Sequence, residues 1–491
     1  MNGTTRWMAL RDMGYVKPGE KILILGATGG LGSTGIFDPT RHSTCVGFNR
    51  DERATDRNSK SVACTQVTRS KSRVIYVNHD LEVLIIGAGT GGLCLAQGLA
   101  LSGLNVRVFE RDRTPTDRLQ GYRLHISATG NRALQACLPA QNFARFVRAS
   151  AISNTAVTFL DHRLNRLLQI DIPPVDRMAP ESERPISRIA LRKILLEGLE
   201  ETVAFDKTFL SYQICPDGRV SVRFKDGSTA TGDIVVGADG ANSHVRAQLL
   251  PNARRLETGI VVLSGKFPLD GAARKQTPAA VFRGPTLVMG PDGCFLFASV
   301  VEYPPEAPQA YDHDEYVMWG FSGPRELLAA HLNVADLTGE QVRALALAQM
   351  NVWHPELRRL IERADSATMT SFDAKSAEPM APWRTGAVTL LGDAVHNMTP
   401  FRGMGANMAL RDAAALREAL VAIAHGQQER TTALGAYERE MIEQGFAAVA
   451  ASLTEMHRLH ARSPVSRLMS KLVYRTVDTV KPVQSLFRGK R

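Results

Sequence analysis

The feature that most constrains the fold is a glycine-rich turn between a short apolar strand and a helix. The strand Val83–Ile86 leads into the motif GAGTGG (87–92), and an apolar helical stripe and a second strand, 105–110, follow. The glycines allow a tight turn and close backbone approach, so that a pyrophosphate can lie on the amide-rich start of the helix. Glu110 ends the second strand, where a carboxylate can accept hydrogen bonds from a ribose. The pattern predicts a dinucleotide-binding βαβ unit.

Two further turns follow apolar strands. Residues 219–240 alternate apolar and polar side chains around Asp226-Gly227, which predicts a hairpin, and they lead into GADGANS (237–243). The strand in GAVTLLGDA (386–394) ends at Asp393, whose carboxylate can hold polyol hydroxyls. The small residues of the following PFRGMGAN can lie against a flat ring and point a helix N-terminus at negative charge. Each turn alone also fits a simple helix cap, but three in this order are far more specific.

Together the motifs GAGTGG with its glutamate, the hairpin with GADGANSHVR, and GDAVHNMTPFRGMGAN resemble a known family. They are similar to the single-component FAD-dependent monooxygenases, the aromatic hydroxylases typified by p-hydroxybenzoate hydroxylase. The resemblance covers roughly residues 81–450. It implies FAD as cofactor, NADPH or NADH as transient co-substrate, and oxygen transfer through a flavin C4a-hydroperoxide. The implied reaction is hydroxylation or epoxidation of an apolar aromatic or polyketide-type secondary metabolite, in keeping with the apolar stretch 280–300.

The resemblance also implies a set of cofactor-binding residues. The first turn would cradle the pyrophosphate, Glu110 would hold the adenosine ribose, and Pro400 to Asn407 would line the isoalloxazine. The implied residues are Gly87, Gly89, Gly92, Glu110, Arg111, Gly121, Arg192, Asp239, Gly240, Asp393, Pro400, Gly403, Gly405, Ala406 and Asn407.

No residue is assigned to acid–base catalysis, and three candidates remain. They are Arg123, His125 and Arg402. Arg402 stands where many relatives carry a small residue, and it either adds positive charge near the flavin or faces solvent. The amphipathic run RIALRKILLEGLEETV (188–203) predicts a helix, so Arg192 is also consistent with a charge on a helix surface. A lone histidine such as His125 or His396 is more often structural than catalytic. No metal site is predicted.

The predicted fold class is α/β: a Rossmann-like FAD-binding βαβ domain, an inserted substrate domain built on a mixed or antiparallel sheet, and C-terminal helices. The predicted body spans residues 80–450. Its FAD parts are about 80–155, 185–257 and 381–450, and its substrate parts about 156–184 and 258–380. A basic helical tail, 451–491, follows the body.

The N-terminal extension, 1–79, presents a competing glycine pattern. Residues 5–35 contain VKPGEKILILGATGGLG and resemble a fragment of a medium-chain dehydrogenase. A working nucleotide fold needs a helix, a second strand and a ribose selector, and the sequence offers none of them here. The segment is therefore interpreted as a fusion remnant, and the polar stretch 38–80 as a poorly ordered linker.

Charge and cysteine patterns bear on partners and location. The net charge of +10 divides into +6 over residues 1–79, +7 over 446–491 and −3 over the body between them. A phosphate-tracking groove would need basic residues on the body, so nucleic acid is not an expected partner. The favoured interpretation of the tail is a helix packed on the body, and membrane-surface contact is the less favoured alternative. Six scattered cysteines, no apolar leader and no spanning apolar run predict a cytoplasmic protein.

The sequence also bears on three alternatives to a monooxygenase. A same-fold reductase remains open, whereas a halogenase is disfavoured because the four tryptophans are isolated and form no WxWxIP motif. A non-catalytic FAD-binding protein is disfavoured by the intact Glu110, Asp239 and Asp393.

Overall fold

The computed structural model describes residues 22–24, 35–37, 81–115, 122–177, 179, 182–305, 307, 314–463 and 474. It forms two compact units, Met1–Arg73 and Val74–Arg491. In the first unit, strands β1 (Ile22–Ile24) and β2 (Gly35–Phe37) pair antiparallel. A nucleotide-binding crossover joins parallel strands, so this pairing is not that of a βαβ unit. The linker predicted at 38–80 lies outside the described residues.

The second unit contains the remaining strands and the helices. Its strands are β3 (Glu82–Ile86), β4 (Asn105–Phe109), β5 (Arg123–Ile126), β6 (Ala156–Asp161), β7 (Arg166–Asp171), β8 (Arg184–Ser187), β9 (Val203–Ala204), β10 (Phe209–Ile214), β11 (Val220–Phe224), β12 (Thr229–Gly232), β13 (Ile234–Gly237), β14 (Arg255–Pro268), β15 (Thr286–Met289), β16 (Phe295–Val301), β17 (Tyr316–Pro324), β18 (Thr370–Ala377) and β19 (Val388–Leu390). Its α-helices are α1 (Thr90–Leu101), α2 (Ala128–Cys137), α3 (Ala140–Ala149), α4 (Arg188–Leu196), α5 (His244–Leu249), α6 (Gly271–Gln276), α7 (Ala279–Arg283), α8 (Arg325–Leu328), α9 (Gly339–Ala348), α10 (Pro355–Glu362), α11 (Asp393–His396), α12 (Gly405–Ala424) and α13 (Arg430–Leu459).

A five-stranded parallel sheet organises the predicted FAD-binding part. Its strand order is β19-β13-β3-β4-β9, and every neighbouring pair is parallel. The carboxyl ends of parallel strands share one edge of the sheet. The three predicted turns follow the adjacent strands β19, β13 and β3, and Glu110 follows the next strand, β4. The topology therefore places all four features side by side.

A seven-stranded sheet forms the inserted part, with the order β18-β14-β17-β16-β15-β6-β7. All its pairs are antiparallel except β15 with β6, which is parallel. One face of this sheet packs on α9 and α10 around the fully buried Trp319. The α/β class and the inserted mixed sheet are thus confirmed.

One helix differs from the sequence prediction. The amphipathic pattern predicts a helix over 188–203, but α4 ends at Leu196 because Gly198 turns left-handed (φ +81°), and Val203 then joins the parallel sheet as β9. At the other end, α13 runs continuously to Leu459 and crosses the predicted boundary at 450/451. Beyond residue 463 only Tyr474 is described. It is buried and its ring stacks on Phe159 with centroids 4.8 Å apart.

Candidate functional site

The first and second turns are in direct contact. Gly87 has φ +109°, and a Cβ there would lie 2.4 Å from the carbonyl oxygen of Ala238 and 2.9 Å from Cα of Asp239. A Cβ on Gly92 would lie 2.1 Å from the carbonyl oxygen of Gly87. Only glycine fits at either position, which is the physical reason for the spacing of the motif. A Cβ on Gly89, in contrast, would meet no heavy atom within 4 Å, so the turn leaves free space at the start of α1.

The third turn packs against the same helix. A Cβ on Gly91 would lie 2.6 Å from Cδ1 of Leu391, directly before the third turn, and 3.2 Å from Cβ of Ala409 on α12. Arg246, at the start of α5, donates from Nη1 to the carbonyl of Ala394 (2.9 Å) and from Nη2 to the carbonyl of Ala241 (3.0 Å). Its guanidinium therefore joins the second and third turns. The three predicted turns meet in one place.

Glu110 lies beside the first turn and is buried. Its Oε2 accepts from the amide of Ala88 at 2.7 Å, and its Oε1 accepts from the amide of Asp112 at 3.0 Å. The carboxylate thus fixes the βαβ turn from the neighbouring strand. Arg192 forms an ion pair with Asp112, with both Nη atoms 3.3 Å from Oδ2. Arg111 is exposed, and Gly121 lies outside the described residues.

Asp239 acts within its own turn. It accepts from the hydroxyl of Ser243 and, through Oδ2, from the amide of His244 at 2.7 Å. Ser243 in turn caps α5 by accepting from the amide of Arg246 at 2.8 Å. Asp239 therefore stabilises the turn that holds Arg246 in place. The next residue, Gly240, has φ +80°, a conformation that favours glycine.

Asp393 begins α11 within a group of charged side chains. Burial raises its pKa, and the nearby Asp412 raises it further, whereas His396 and Arg188 oppose the shift. His396 is fully buried, with Nε2 2.6 Å from Oδ2 of Asp412, which also accepts from the amide of Gly392 at 2.9 Å. Burial alone lowers the pKa of His396, but the charge and hydrogen bond of Asp412 outweigh it and the pKa is raised. His396 is thus a structural partner of Asp412.

Asn407 ties the third turn to β5. It is completely buried, its Oδ1 accepts from the amide of Ser127 at 2.8 Å, and its Nδ2 donates to the carbonyl of His125 at 2.8 Å. The side chain of Asn407 is therefore used to position the start of α12. Before it, Gly403 is left-handed (φ +62°), and an added Cβ on Gly405 would lie 3.7 Å from Oδ1 of Asp393. Pro400 and Arg402 are exposed, and Ala406 is partly buried in the first turn of α12.

The other two catalytic candidates lie on β5. Nε2 of His125 is 3.1 Å from a carboxylate oxygen of Glu183, so the ring is engaged by that acid. Arg123 reaches the inserted sheet and donates from Nη1 to Oγ of Ser299 at 2.6 Å. The three catalytic candidates therefore lie in three different environments: His125 beside Glu183, Arg123 against the inserted sheet, and Arg402 exposed to solvent.

Two residues with central roles were not predicted as site residues, Arg246 and Asp412. Each is a charged residue at a helical position that the sequence pattern would bury; Asp412, for example, lies in the Ala-rich first half of α12. Such a residue indicates that a buried partner exists, but the sequence does not identify the partner.

The inserted sheet turns its second face towards these turns. Phe295 of β16 lies against Phe401 of the third turn, with ring centroids 6.4 Å apart at 75°. Two residues along, Phe297 pairs with Gly320 across to β17, and both are partly exposed. A Cβ on Gly320 would meet nothing within 4 Å. The sheet thus offers an open apolar area next to the third turn.

Two cavities are present elsewhere among the described residues. One of about 220 Å³ lies at the Pro324 end of the same sheet face, lined by residues that include Ile260, Met456 and His460. The other, of about 270 Å³, lies between α1, α3 and Gly198 and contains none of the predicted site residues. We therefore place the candidate site at the three turns rather than in either cavity.

Comparison with known proteins identifies this arrangement. The family model described as FAD binding domain matches residues 80–261 and 351–452, more than half of the chain. The chain belongs to the FAD-binding-domain family. The gap in the match, 262–350, lies within the inserted sheet and its helices.

Several similar proteins are described as FAD-dependent or FAD-containing monooxygenases. The chain is 34% identical over 394 residues to the dual O-methyltransferase/FAD-dependent monooxygenase elcB of Phaeosphaeria nodorum, covering 74% of this chain but 42% of that protein. It is 29% identical to the FAD-dependent monooxygenase dbaB of Emericella nidulans, covering 70% of this chain and 87% of that protein. A crystal structure of a putative FAD-containing monooxygenase from Photorhabdus luminescens matches with a TM-score of 0.70 and 33% identity, over 78% of this chain and all of that chain. The chain thus spans less than half the length of the dual-function relatives that it matches.

The local structure fits FAD, the cofactor of this family. Gly87 and Gly92 are closely packed, Gly89 has free space beside it, and the start of α1 has no side-chain cap, so this turn could hold a pyrophosphate. The start of α12 also has no side-chain cap and no acidic residue in its first turn. Two helix N-termini next to each other are thus available to anionic parts of a cofactor.

Within the described part of the chain, no helix is long and apolar enough to cross a membrane.

Proposed function

We propose that this chain is an FAD-dependent monooxygenase that uses NADPH or NADH and O2 to hydroxylate or epoxidise an aromatic or polyketide-type metabolite. The observation that carries the proposal is the convergence of the three turns beside the open face of the inserted sheet. The names of the relatives support the reaction class, and the fungal FAD-dependent monooxygenases among them support a secondary metabolite as substrate.

In this proposal, Gly87, Gly89 and Gly92 hold the pyrophosphate and Glu110 the adenosine ribose. Asp393 holds a hydroxyl-bearing part of FAD, because its partly buried carboxylate lies at the start of α11, directly after the third strand. When bound, FAD supplies the chemistry of accepting hydride from the nicotinamide and transferring one oxygen atom from O2.

The remaining residues position the site. Asn407 fixes the start of α12, and Arg246 fixes the second turn against the third. Phe295 and Phe401 close the junction between the third turn and the inserted sheet and exclude water there. Gly121 and Arg111 remain proposed cofactor contacts, and we propose that Arg192 acts through Asp112 at the edge of the site.

The test is substrate-dependent NADPH or NADH oxidation by the purified yellow protein under oxygen-18 gas, with mass spectrometry of the product. We expect one oxygen-18 atom per product molecule. A reduced product without the label would identify a reductase instead. A protein that binds FAD but oxidises neither nicotinamide with any aromatic tested would contradict the enzymatic proposal.

A further inference from the structure

Arg123 has an unusual position for a cation. It extends from β5 to the inserted sheet, where the hydroxyl of Ser299, itself fully buried, accepts from its Nη1. Among the described residues no carboxylate forms an ion pair with it, and its near neighbours include the phenols of Tyr303 and Tyr316. A guanidinium carries five N–H donors, and Ser299 accepts from only one of its nitrogens.

The surroundings of the guanidinium are poor in water. Burial lowers the pKa of Arg123 from 12.5 to about 10, although the neighbouring tyrosines act in the opposite direction. The group is still protonated at neutral pH. The residue nevertheless keeps part of its surface exposed, and its Nε and Nη2 atoms are not sealed in the interior. A partly buried cation that has no acidic partner among the described residues, and that retains free donors, is costly unless an anion can reach it.

The position of Ser299 shows where that anion would lie. Phe295, Phe297 and Ser299 alternate along β16, so their side chains share the face that fronts the third turn. Phe295 meets Phe401 at one end, and Ser299 meets Arg123 at the other. At the rise of an extended strand these ends are about 13 Å apart. Phe297 and the open position at Gly320 lie between them.

We propose that Arg123 determines substrate specificity by binding an anionic oxygen, a carboxylate or phenolate, of an aromatic substrate whose rings lie over Phe297 and Gly320. Ser299 is its positioning residue. The planar guanidinium suits a carboxylate with two parallel hydrogen bonds, a geometry that lysine cannot reproduce. The inference rests on the proposed monooxygenase function and narrows its substrate class to aromatic compounds with one acidic group.

The test measures binding to the full-length, FAD-loaded protein by the change in flavin absorbance, without nicotinamide. The probes are two matched pairs: 3-hydroxy-2-naphthoate with its amide, and 1-nitro-2-naphthol with its methyl ether. We expect the wild type to bind the anion of at least one pair about tenfold or more tightly than its neutral partner, and the pair that shows this preference distinguishes carboxylate from phenolate. Arg123→Met should weaken binding of that anion by about 10- to 100-fold and change binding of the neutral probe less than about threefold.

Three variants accompany Arg123→Met. Arg123→Lys should keep part of the preference for the anionic probe over its neutral partner, and Ser299→Ala should reduce that preference without abolishing it. Arg223→Met, the control, removes an exposed strand arginine and should leave the preference for the anion unchanged. If Arg123→Met does not take up flavin, Arg123→Lys and Ser299→Ala decide the result.

Two outcomes would overturn the inference: a wild type that prefers neither anion or binds none of the four probes, or an Arg123→Met protein with the wild-type preference. Failure of the parent proposal is seen separately. A protein that binds an anion through Arg123 but incorporates no oxygen-18 would contradict the monooxygenase reaction and leave the assignment of Arg123 intact.

Discussion

At the scale of single residues, His460 shows how burial fixes a charge state. It ends α13, with Nδ1 2.8 Å from the carbonyl of Met456 and Nε2 2.8 Å from Oγ of Ser322. Because a carbonyl can only accept, Nδ1 carries the proton and Nε2 accepts from the hydroxyl of Ser322. Burial lowers the pKa of His460 to about 4, so the ring is neutral at physiological pH. It packs edge-on to Phe401 of the third turn, with centroids 4.8 Å apart.

This pKa predicts a loss of stability in acid. The unfolded state binds a proton near pH 6.5 and the folded state only near pH 4, so the contribution is present above 6.5 and is lost as the pH falls towards 4. The free energy of unfolding should fall by about 3 kcal/mol over this interval. His460→Gln should flatten that part of the curve in urea titrations, whereas replacing the exposed His331 by glutamine should not. An unchanged slope in His460→Gln would refute the assignment.

Asp393 provides a second prediction at this scale. If its carboxylate holds a hydroxyl of FAD, Asp393→Asn should weaken FAD binding by about 10- to 100-fold, because a charged acceptor is lost. Equilibrium dialysis or flavin fluorescence of the protein measures the change. The matched control is Asp314→Asn, at an exposed position. Wild-type flavin occupancy of Asp393→Asn at limiting FAD would remove Asp393 from the site.

At the scale of elements, the contact between α11 and α13 depends on one glycine. A Cβ on Gly445 would lie 2.4 Å from Cδ2 of His396, whose ring is held by Asp412 and cannot move aside. Gly435, ten residues earlier on the same helix, is different: a Cβ there would meet Oγ1 of Thr385 at 3.2 Å. Position 445 therefore has no space for a methyl group, whereas position 435 can accept one with a small shift of its neighbour.

Gly445→Ala should therefore destabilise the protein by about 2 kcal/mol through overpacking. Gly435→Ala should be neutral or stabilising, because alanine favours a helix by roughly 1 kcal/mol over glycine. Thermal unfolding of both variants measures the difference. Equal melting temperatures would show that His396 can move after all.

The elements also show what the sequence alone could predict. The three strand-turn units are local patterns of apolar runs and glycines, so a strand before each turn could be predicted, and β3 begins one residue before the predicted strand. The end of the third strand was wrong: the sequence predicts it at Asp393, whereas β19 ends at Leu390 and Asp393 begins α11. Their adjacency in one sheet was implied only by the resemblance, since periodicity does not specify the order of strands. The partners of Asn407, Asp412 and Arg246 depend on contacts between distant segments. For the same reason, the hydrogen bond from Arg123 of β5 to Ser299 of the inserted sheet could not be predicted. The early end of α4 was missed because a single glycine outweighed the amphipathic pattern.

At the scale of the whole molecule, the described site belongs entirely to the second unit. The residues that form the three turns begin at Gly87, and the match to the family model begins at residue 80. Deletion of residues 1–79 should therefore leave flavin content and substrate-dependent NADPH oxidation nearly unchanged. Absorbance of the purified truncated protein and its turnover rate measure this. Insolubility or loss of flavin after the deletion would show that the first unit supports the second.

The open space beside Gly320 has a practical consequence for protein engineering. Alanine, valine and leucine at this strand position would fill progressively more of the open space beside Phe297. If aromatic substrates lie on this face as proposed, the series would exclude the largest of them first and the smallest last. A single residue on β17 thus offers a way to alter the size of compounds that the proposed substrate face accepts, without a change in the three turns.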